Sequence, residues 1–425
     1  MKHLPVIPGS EPVVREHLVF VVNTDWFFLS HRLPLAKEAL RRGWRVTLVA
    51  PDSGSAGQVR AEGVEFVDLP MSRSGTNPVR EAQTVAHLAR LYRRLRPSLI
   101  HHVTPKPVIY GSLAARVVPR TPVVNAVSGL GYAFIGKGQW HPLPAVVRRL
   151  YRAALGRPRS WAVFQNEDDR RLLSREGIVE HDRAVLIRGS GVDMDEFAPA
   201  PVPGGPPVVL LPARLLADKG VGEFAAAARA LRQRGVGARF VLAGPLDPGN
   251  PAGIAPARVQ EWVAAGDVEW WGHRDDMPDV YRQATVVALP SYREGLPKSL
   301  LEAGAAARAI VTTDVPGCRD VVADGETGLL VPPRDAGALA DALERVLGDA
   351  ALRGRLSRAA RRQVAGQHSV QHIVSDHFDL YQRALRRSAR ALGRPVFPAA
   401  ESGDGSRSEA SLGAPGPGAL LRESL

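Results

Sequence analysis

APAPVPGGPPVVLLPA, residues 198–213, decides the architecture. Its first ten residues hold five prolines and two glycines, which deny a helix or a sheet its hydrogen bonds, so they read as a linker. The run that follows, PVVLLPA (207–213), is short and apolar and reads as a buried strand. Upstream, HLVFVVN (17–23), RVTLVA (45–50), SLIHHV (98–103), PVVNAV (122–127) and AVLIRG (184–189) have the same character. Helical patterns such as SHRLPLAKEALRRG (30–43) and PVREAQTVAHLARLYRRLR (78–96) separate them. Downstream, ARFVLAG (238–244), DVEWWG (267–272), TVVALP (285–290), AIVTT (309–313) and GLLV (328–331) repeat the pattern. Strands alternating with helices imply βαβ units and a parallel sheet, here twice over. The expected fold class is α/β, with two such domains and a ligand site in the cleft outside the carboxyl ends of the strands.

This reading divides the chain into a flexible start (1–16), an N-terminal acceptor-side domain (17–198), a linker (199–206) and a C-terminal domain (207–366). A helix over 367–390 is expected to pack back on the first domain. The tail 391–425, rich in Gly, Ser, Pro and Ala, lacks the large apolar residues that would offset its ordering entropy and is expected to be disordered.

At 425 residues with 45% hydrophobic content, the chain can bury real cores, and wholesale disorder is excluded. Its single cysteine, Cys318, rules out a disulfide scaffold or a cysteine-based zinc site. No secretion signal and no eighteen-residue apolar run is found, so a cytoplasmic location is expected. The net charge of +12 is unevenly placed: thirteen Lys and Arg and no acid lie between Glu81 and Glu167. Within that span HPLPAVVRRLYRAALGRPR (141–159) sets Arg148, Arg149 and Arg152 beside Leu, Val and Tyr. A solvated helix face accounts for such a stretch, and so does a surface drawn to anionic lipid. Zinc-finger spacing and basic regions joined to heptads are lacking, so nucleic acid is not an expected partner.

Two motifs carry chemistry. In PSYREGLPKSLLEAGA (290–305) a strand ends at Pro290, and Pro297 suits the first turn of a helix. Gly295 and Leu296 then stand at the helix start, where free N–H groups and the positive dipole end attract phosphate or sugar oxygens. Glu294 and, eight residues on, Glu302 suit vicinal hydroxyls, although a capping carboxylate and a solvent-facing glutamate would fit the same spacing. In LLPARLLADKGVGEF (210–224) Arg214 and Lys219 flank a strand end and form a cradle for a pyrophosphate.

Arg214, Lys219, Gly272, Glu294-Gly295-Leu296-Pro297, Glu302, Gly317 and GETGLLVPPRD (325–335) together resemble the retaining glycosyltransferases of sequence family 4. DWFFLSHRLPLAKEALRRGWRV (25–46), HHVTPKPVIYGSLAAR (101–116) and VSGLGYAF (127–134) are similar to a bacterial branch that builds lipid-linked or capsular saccharides. The resemblance implies the GT-B fold, two Rossmann-like domains with parallel sheets facing across a cleft. It implies that Arg214 and Lys219 bind the donor diphosphate, that Glu302 holds the ribose and that Glu294 holds the transferred sugar. The amides of Gly295 to Lys298 would assist, and the segment from Gly244 to Gly272 would lie near the base.

The implied activity is transfer of a hexose or N-acetylhexosamine, with retention, from a UDP-linked donor to a polyprenyl-diphosphate-linked or saccharide acceptor. The enzyme would sit peripherally on the inner membrane face. Two departures mark this chain: NTDWFFLSHR (23–32) replaces a Gly-Gly loop, and Ser128-Gly129 stands where relatives have a histidine. Asp25, His31, His102, Lys106 and Ser128 are therefore the acceptor-side candidates. Asp193 and Asp195 of GVDMDEF (191–197) read as turn and capping residues, so no metal and no resident cofactor is expected. Trp262, Trp270 and Trp271 read as core groups before base-stacking ones. Other readings are a sugar-nucleotide epimerase or phosphorylase of similar fold, and a non-catalytic polyanion- or membrane-binding module.

Overall fold

The computed structural model describes residues 16–71, 77–129 and 145–390. The expected flexible start and disordered tail lie essentially outside them, as do residues 130–134 of VSGLGYAF and 141–144 of the basic stretch.

The first lobe is a seven-stranded parallel sheet made of β1 (His17–Val21), β2 (Arg45–Ala50), β3 (Glu65–Asp68), β4 (Leu99–Val103), β5 (Val123–Val127), β6 (Ser160–Phe164) and β7 (Ala184–Leu186). Its order is β3-β2-β1-β4-β5-β6-β7. The second lobe holds β8 (Val208–Pro212), β9 (Arg239–Ala243), β10 (Glu269–Trp270), β11 (Val286–Leu289), β12 (Ala309–Thr313) and β13 (Leu329–Val331). Their order, β10-β9-β8-β11-β12-β13, repeats the first six places of the first sheet. The reversal of order beside β1 and beside β8 opens a crevice at the carboxyl ends of the strands, where open α/β sheets take their ligands. Central strands such as Val208–Pro212 and Val286–Leu289 are buried along their whole length, which is why they read as unbroken apolar runs. The GT-B architecture expected from the resemblance is the one found.

Several local expectations change. The helix expected over 30–43 is two helices, Asp25–His31 and Leu33–Arg41, because Pro34 enters the first turn of the second, where its missing N–H costs nothing. DVEWWG contributes only the two-residue β10. β3 and β6 were not among the strands singled out; β3 is a partly exposed edge strand of mixed polarity, and its pattern carries little signal.

The lobes are joined twice. Besides the linker, the chain recrosses near His368: Val192 N donates to His368 O at 3.0 Å, and Val370 N donates to Val192 O at 3.0 Å. Gly191, at φ +80°, permits this approach, since a Cβ there would lie 2.6 Å from Val370 Cα. The closing helix, Val370–Arg390, then lies on the first lobe. Its Ile373, Phe378, Leu380, Tyr381 and Ala384 share one core with Leu18, Phe20, Ala36 and Leu48. Trp44 stacks beside Phe378 and Tyr381, with ring centroids 5.5 and 6.3 Å away.

Candidate active site

β11 runs out through Pro290 into Ser291-Tyr292-Arg293-Glu294, and Pro297 caps the helix Lys298–Ala305. This loop is knitted to the turn after β8. Lys219 Nζ lies 2.5 Å from Glu294 Oε1, Ser291 Oγ donates to the same oxygen at 2.7 Å, and Tyr292 N donates to Asp218 O at 2.9 Å. Gly220, at φ +72°, makes the fit possible, because a Cβ there would meet Pro290 O at 2.1 Å. Lys219 and Glu294 therefore form one unit. Arg214, at the end of β8, pairs with Asp247 at 2.7 Å and keeps 37% of its side chain exposed.

Glu302 lies in the helix with only 7% of its surface exposed. Tyr281 donates its hydroxyl to Glu302 Oε2 at 3.0 Å, and Lys298 Nζ lies 3.3 Å from Oε1. Burial raises the Glu302 carboxyl above its ordinary value, against the downward pull of Lys298 and of the Tyr281 hydrogen bond. Gly244 N donates to Gly272 O at 2.8 Å, and Trp270 Nε1 donates to Gly244 O at 3.0 Å. The two glycine turns thus touch beside Ala213, whose carbonyl oxygen would stand 1.9 Å from a Cβ on Gly244. Of the three tryptophans, Trp262 is buried and Trp270 keeps 36% exposure. Leu296 is buried against the core and contributes packing, not a polar contact.

On the acceptor side two candidates, Asp25 and His102, are wholly buried. Asp25 is wholly buried: Trp26 N and the Ser53 hydroxyl donate to Oδ1, and Ser53 N and Ser55 N donate to Oδ2. Against the upward push of burial these donors hold its carboxyl below the ordinary value. It is a clamp between two loops. His102 is also wholly buried, with Nε2 2.9 Å from Tyr92 OH and Nδ1 2.8 Å from Asn125 Oδ1. Asn125 extends that network to Ser112 and Ser160. Both of its ring nitrogens are engaged inside the first lobe. Lys106 pairs with Glu81 at 2.7 Å.

His31 and Ser128 remain at the cleft. The His31 ring stacks on Phe27 with centroids 4.0 Å apart. Burial pushes its pKa down to about 3, and the charges of Lys298 and Arg32 push the same way. The Lys298 charge acts on this ring, so the start of the helix Lys298–Ala305 lies within electrostatic reach of it. Ser128 Oγ is buried without a partner.

The lobes also meet directly, through residues the sequence did not mark. Asn166 Nδ2 donates to Gly295 O at 2.7 Å, and Arg293 pairs with the buried Asp169. Gly129 and Gly295 approach so closely that a Cβ on Gly129 would lie 3.3 Å from Gly295 Cα, and one on Gly295 would lie 2.6 Å from Ser128 O. FQNEDD (164–169) signals only a strand end and a capped helix start, the role Asn166 also fills by accepting from Asp169 N. Gly317, at φ +84°, supports the loop from behind: Glu294 N donates to Pro316 O at 3.1 Å, and a Gly317 Cβ would lie 2.6 Å from Glu294 O.

Elsewhere, Asp193 Oδ1 accepts the amides of Asp195 and Glu196 and makes the expected turn. Among the described residues no three metal-ligating side chains are grouped to hold a metal ion. Arg148 lies 3.3 Å from Glu176, Arg152 donates to the Glu176 carbonyl at 2.8 Å, and Arg149 is exposed. No described helix is long and apolar enough to cross a membrane.

Comparison with known families falls on both lobes. Residues 17–158 match the model described as glycosyl transferase 4-like, and residues 206–349 match that of glycosyl transferases group 1. Together they take in more than half of the chain. The chain is a glycosyltransferase of this family. The enzyme is 28% identical over 381 residues to N,N'-diacetylbacillosaminyl-diphospho-undecaprenol alpha-1,3-N-acetylgalactosaminyltransferase of Campylobacter jejuni, covering 84% of this chain and 98% of that one. Its fold matches a glycosyltransferase of Rickettsia africae with TM-score 0.72 at 17% identity, over 87% of this chain and 99% of that one. HepE of Anabaena, solved in complex with UDP and glucose, matches with TM-score 0.69 at 16% identity, over 87% of this enzyme and 100% of that chain. Membership replaces the epimerase, phosphorylase and non-catalytic readings.

Proposed function

We propose that the enzyme moves a hexose or N-acetylhexosamine, with retention of configuration, from a UDP-sugar to a polyprenyl-diphosphate-linked or saccharide acceptor in surface-glycan synthesis. The supporting observation is the Lys219–Glu294 unit at the mouth of the second sheet, with buried Glu302 one helix face away. The Campylobacter jejuni relative, whose name specifies an undecaprenol-linked diphosphate acceptor and an N-acetylgalactosaminyl group, favours this substrate class.

Breaking the anomeric bond leaves charge on a nucleotide diphosphate. Arg214, Lys219 and the amide-rich start of the helix Lys298–Ala305 meet that charge as it develops, a preorganised stabilisation that needs no reorganisation of solvent. No resident metal is needed in this scheme. Glu302 accepts hydrogen bonds from the ribose hydroxyls. Glu294, fixed by Lys219 and Ser291, accepts from hydroxyls of the transferred sugar, and Gly244 and Gly272 leave room for the base. A phosphate oxygen on the same face takes the acceptor's proton. His31, neutral at physiological pH, and Ser128 line the acceptor side. We place the enzyme on the inner face of the cell membrane, with Arg149 and its neighbours Arg148 and Arg152 toward anionic lipid.

A panel of nucleotide-sugars with a synthetic polyprenyl-diphosphate sugar acceptor tests the reading, with the anomeric configuration of the product read by NMR. Transfer from a UDP-sugar with retention is expected. An inverted product, or wild-type rates from both Arg214→Ala and Glu302→Ala, would defeat it.

A further inference from the structure

At the end of the first sheet opposite the cleft lies a groove of about 520 Å³ whose lining includes Arg116, Arg152, Arg157 and Arg159. Pro119, just ahead of β5, and the turn from the helix Ala145–Leu155 into β6 form its walls. It therefore opens at the amino ends of β5 and β6, whereas the donor and acceptor loops leave carboxyl ends. Among the described residues no acidic side chain lines it.

Its charges are fixed in place yet not neutralised. Arg116 donates to Ala153 O at 3.1 Å, Arg152 to Glu176 O at 2.8 Å, Arg157 to Val118 O at 2.9 Å and Arg159 to Pro119 O at 3.1 Å. Main-chain carbonyls orient a guanidinium without cancelling its charge, and each arginine has five N–H donors. Arg157 Nη1 is sealed from water with no acceptor at all. Burial, then the like charges of Arg159 and Arg116, pull the Arg157 pKa down to about 10. Arg159 is held at φ +61°, a backbone conformation that side chains resist. Four guanidiniums lining one groove, with no counter-charge among the described residues, call for an anion, and planar donor forks match phosphate oxygens best.

The helix leading into the groove adds a second clue. Val146 is 67% exposed and Leu150 37% exposed, and both lie on the face that continues through Ala153 into the groove. An apolar stripe ending in an arginine pocket has the chemistry of a membrane interface.

We propose that this groove is a phosphate-ester site, filled by the headgroup of an anionic phospholipid while Val146 and Leu150 enter the acyl boundary. It rests on the membrane placement proposed above, stands apart from the donor site and does not depend on the identity of the sugar. Beyond a diffuse basic face, it assigns a discrete pocket with named ligands.

The test uses the full chain in flotation with phosphatidylcholine vesicles containing one-third phosphatidic acid. The variant is R116Q/R159N, since asparagine accepts the left-handed backbone. R355Q/R358Q, two exposed arginines of the helix Ala350–Gln367, is the charge-matched control. At about fivefold per charge near an anionic surface, the groove variant should lose about 30-fold in vesicle affinity. The control should lose less than about threefold, and donor hydrolysis and melting should stay at wild-type levels in both. Equal losses in the two variants, or no flotation of the wild type, overturn the proposal. Calorimetry with inorganic pyrophosphate separates the sources. Pyrophosphate binding that needs Arg116 and Arg159, without vesicle binding, gives the groove to a soluble phosphate and overturns the lipid assignment. Binding of neither probe overturns the site.

Discussion

Asn166 of the first lobe donates its side-chain amide to the carbonyl of Gly295 in the second, at 2.7 Å. Glu294, which the proposed mechanism sets against the transferred sugar, is the residue immediately before that carbonyl. In the proposed mechanism the loop set against the donor is therefore held partly by the first lobe. Arg293 and Asp169 reinforce the link from the other side of Glu294.

Asn166→Ala removes this hydrogen bond. At about 0.5–1.5 kcal/mol for a neutral pair, kcat should fall by up to about tenfold. The donor KM should change little, because Lys219 and Ser291 still hold the carboxylate. Steady-state kinetics decides this, and an unchanged kcat would remove Asn166 from the account.

Gly295→Ala places a methyl group 2.6 Å from Ser128 O and 2.6 Å from Gln165 Oε1. The lobes must then part or the loop must shift. Turnover should drop by at least about 100-fold, the scale expected when reacting groups are misplaced by about 1 Å. A melting temperature near wild type would localise the loss to the cleft.

Glu302 gives a pH dependence with a definite sign. Its carboxyl is raised above the ordinary 4.5, so it protonates earlier than a free glutamate as pH falls. Donor affinity should decline on the acid side beginning above pH 4.5, since only the carboxylate can accept two ribose hydroxyls. Stability runs the other way: the folded state holds this proton more tightly, so ionisation destabilises it as pH rises through the raised value. Glu302→Gln should raise the donor KM at neutral pH and flatten its acid limb. An unaltered pH profile of KM would contradict the assigned role.

Asp25 and His102 should behave as structural residues. The Asp25 carboxyl is depressed, so its contribution to stability is complete above 3.8 and lost as pH falls through its lower folded value. Asp25→Asn should weaken the fold at neutral pH and remove that component of acid unfolding. His102→Ala breaks a buried network and should cost about 2–4 kcal/mol in denaturant unfolding. Donor hydrolysis per folded molecule should be retained in both variants.

Much of the fold was legible because its parallel strands are buried on both faces and appear as bare apolar runs, as in VVLLP (208–212) and VVAL (286–289). Edge strand β3 escaped notice for the opposite reason: half its side chains face water. In the candidate site, the loop and helix that carry Glu294 and Glu302 were readable because they hold their own turn chemistry. Asn166, Asp169 and Arg293 were not, since a contact between residues more than 120 positions apart leaves no periodic trace. His102 and Asp25 misled in a complementary way. Their side chains are chemically versatile, and only burial reveals that every polar atom is already engaged.

The terminal helix Val370–Arg390 supplies part of the floor on which the opening strands rest. The first lobe is thus discontinuous in the gene. A fragment ending at the proline-rich joint would leave Trp44 and Phe20 without their covering side chains, whereas a fragment lacking only residues 391–425 would keep that cover. Synthesis on the ribosome therefore delivers the first lobe unfinished, and it is completed only after the second lobe has emerged.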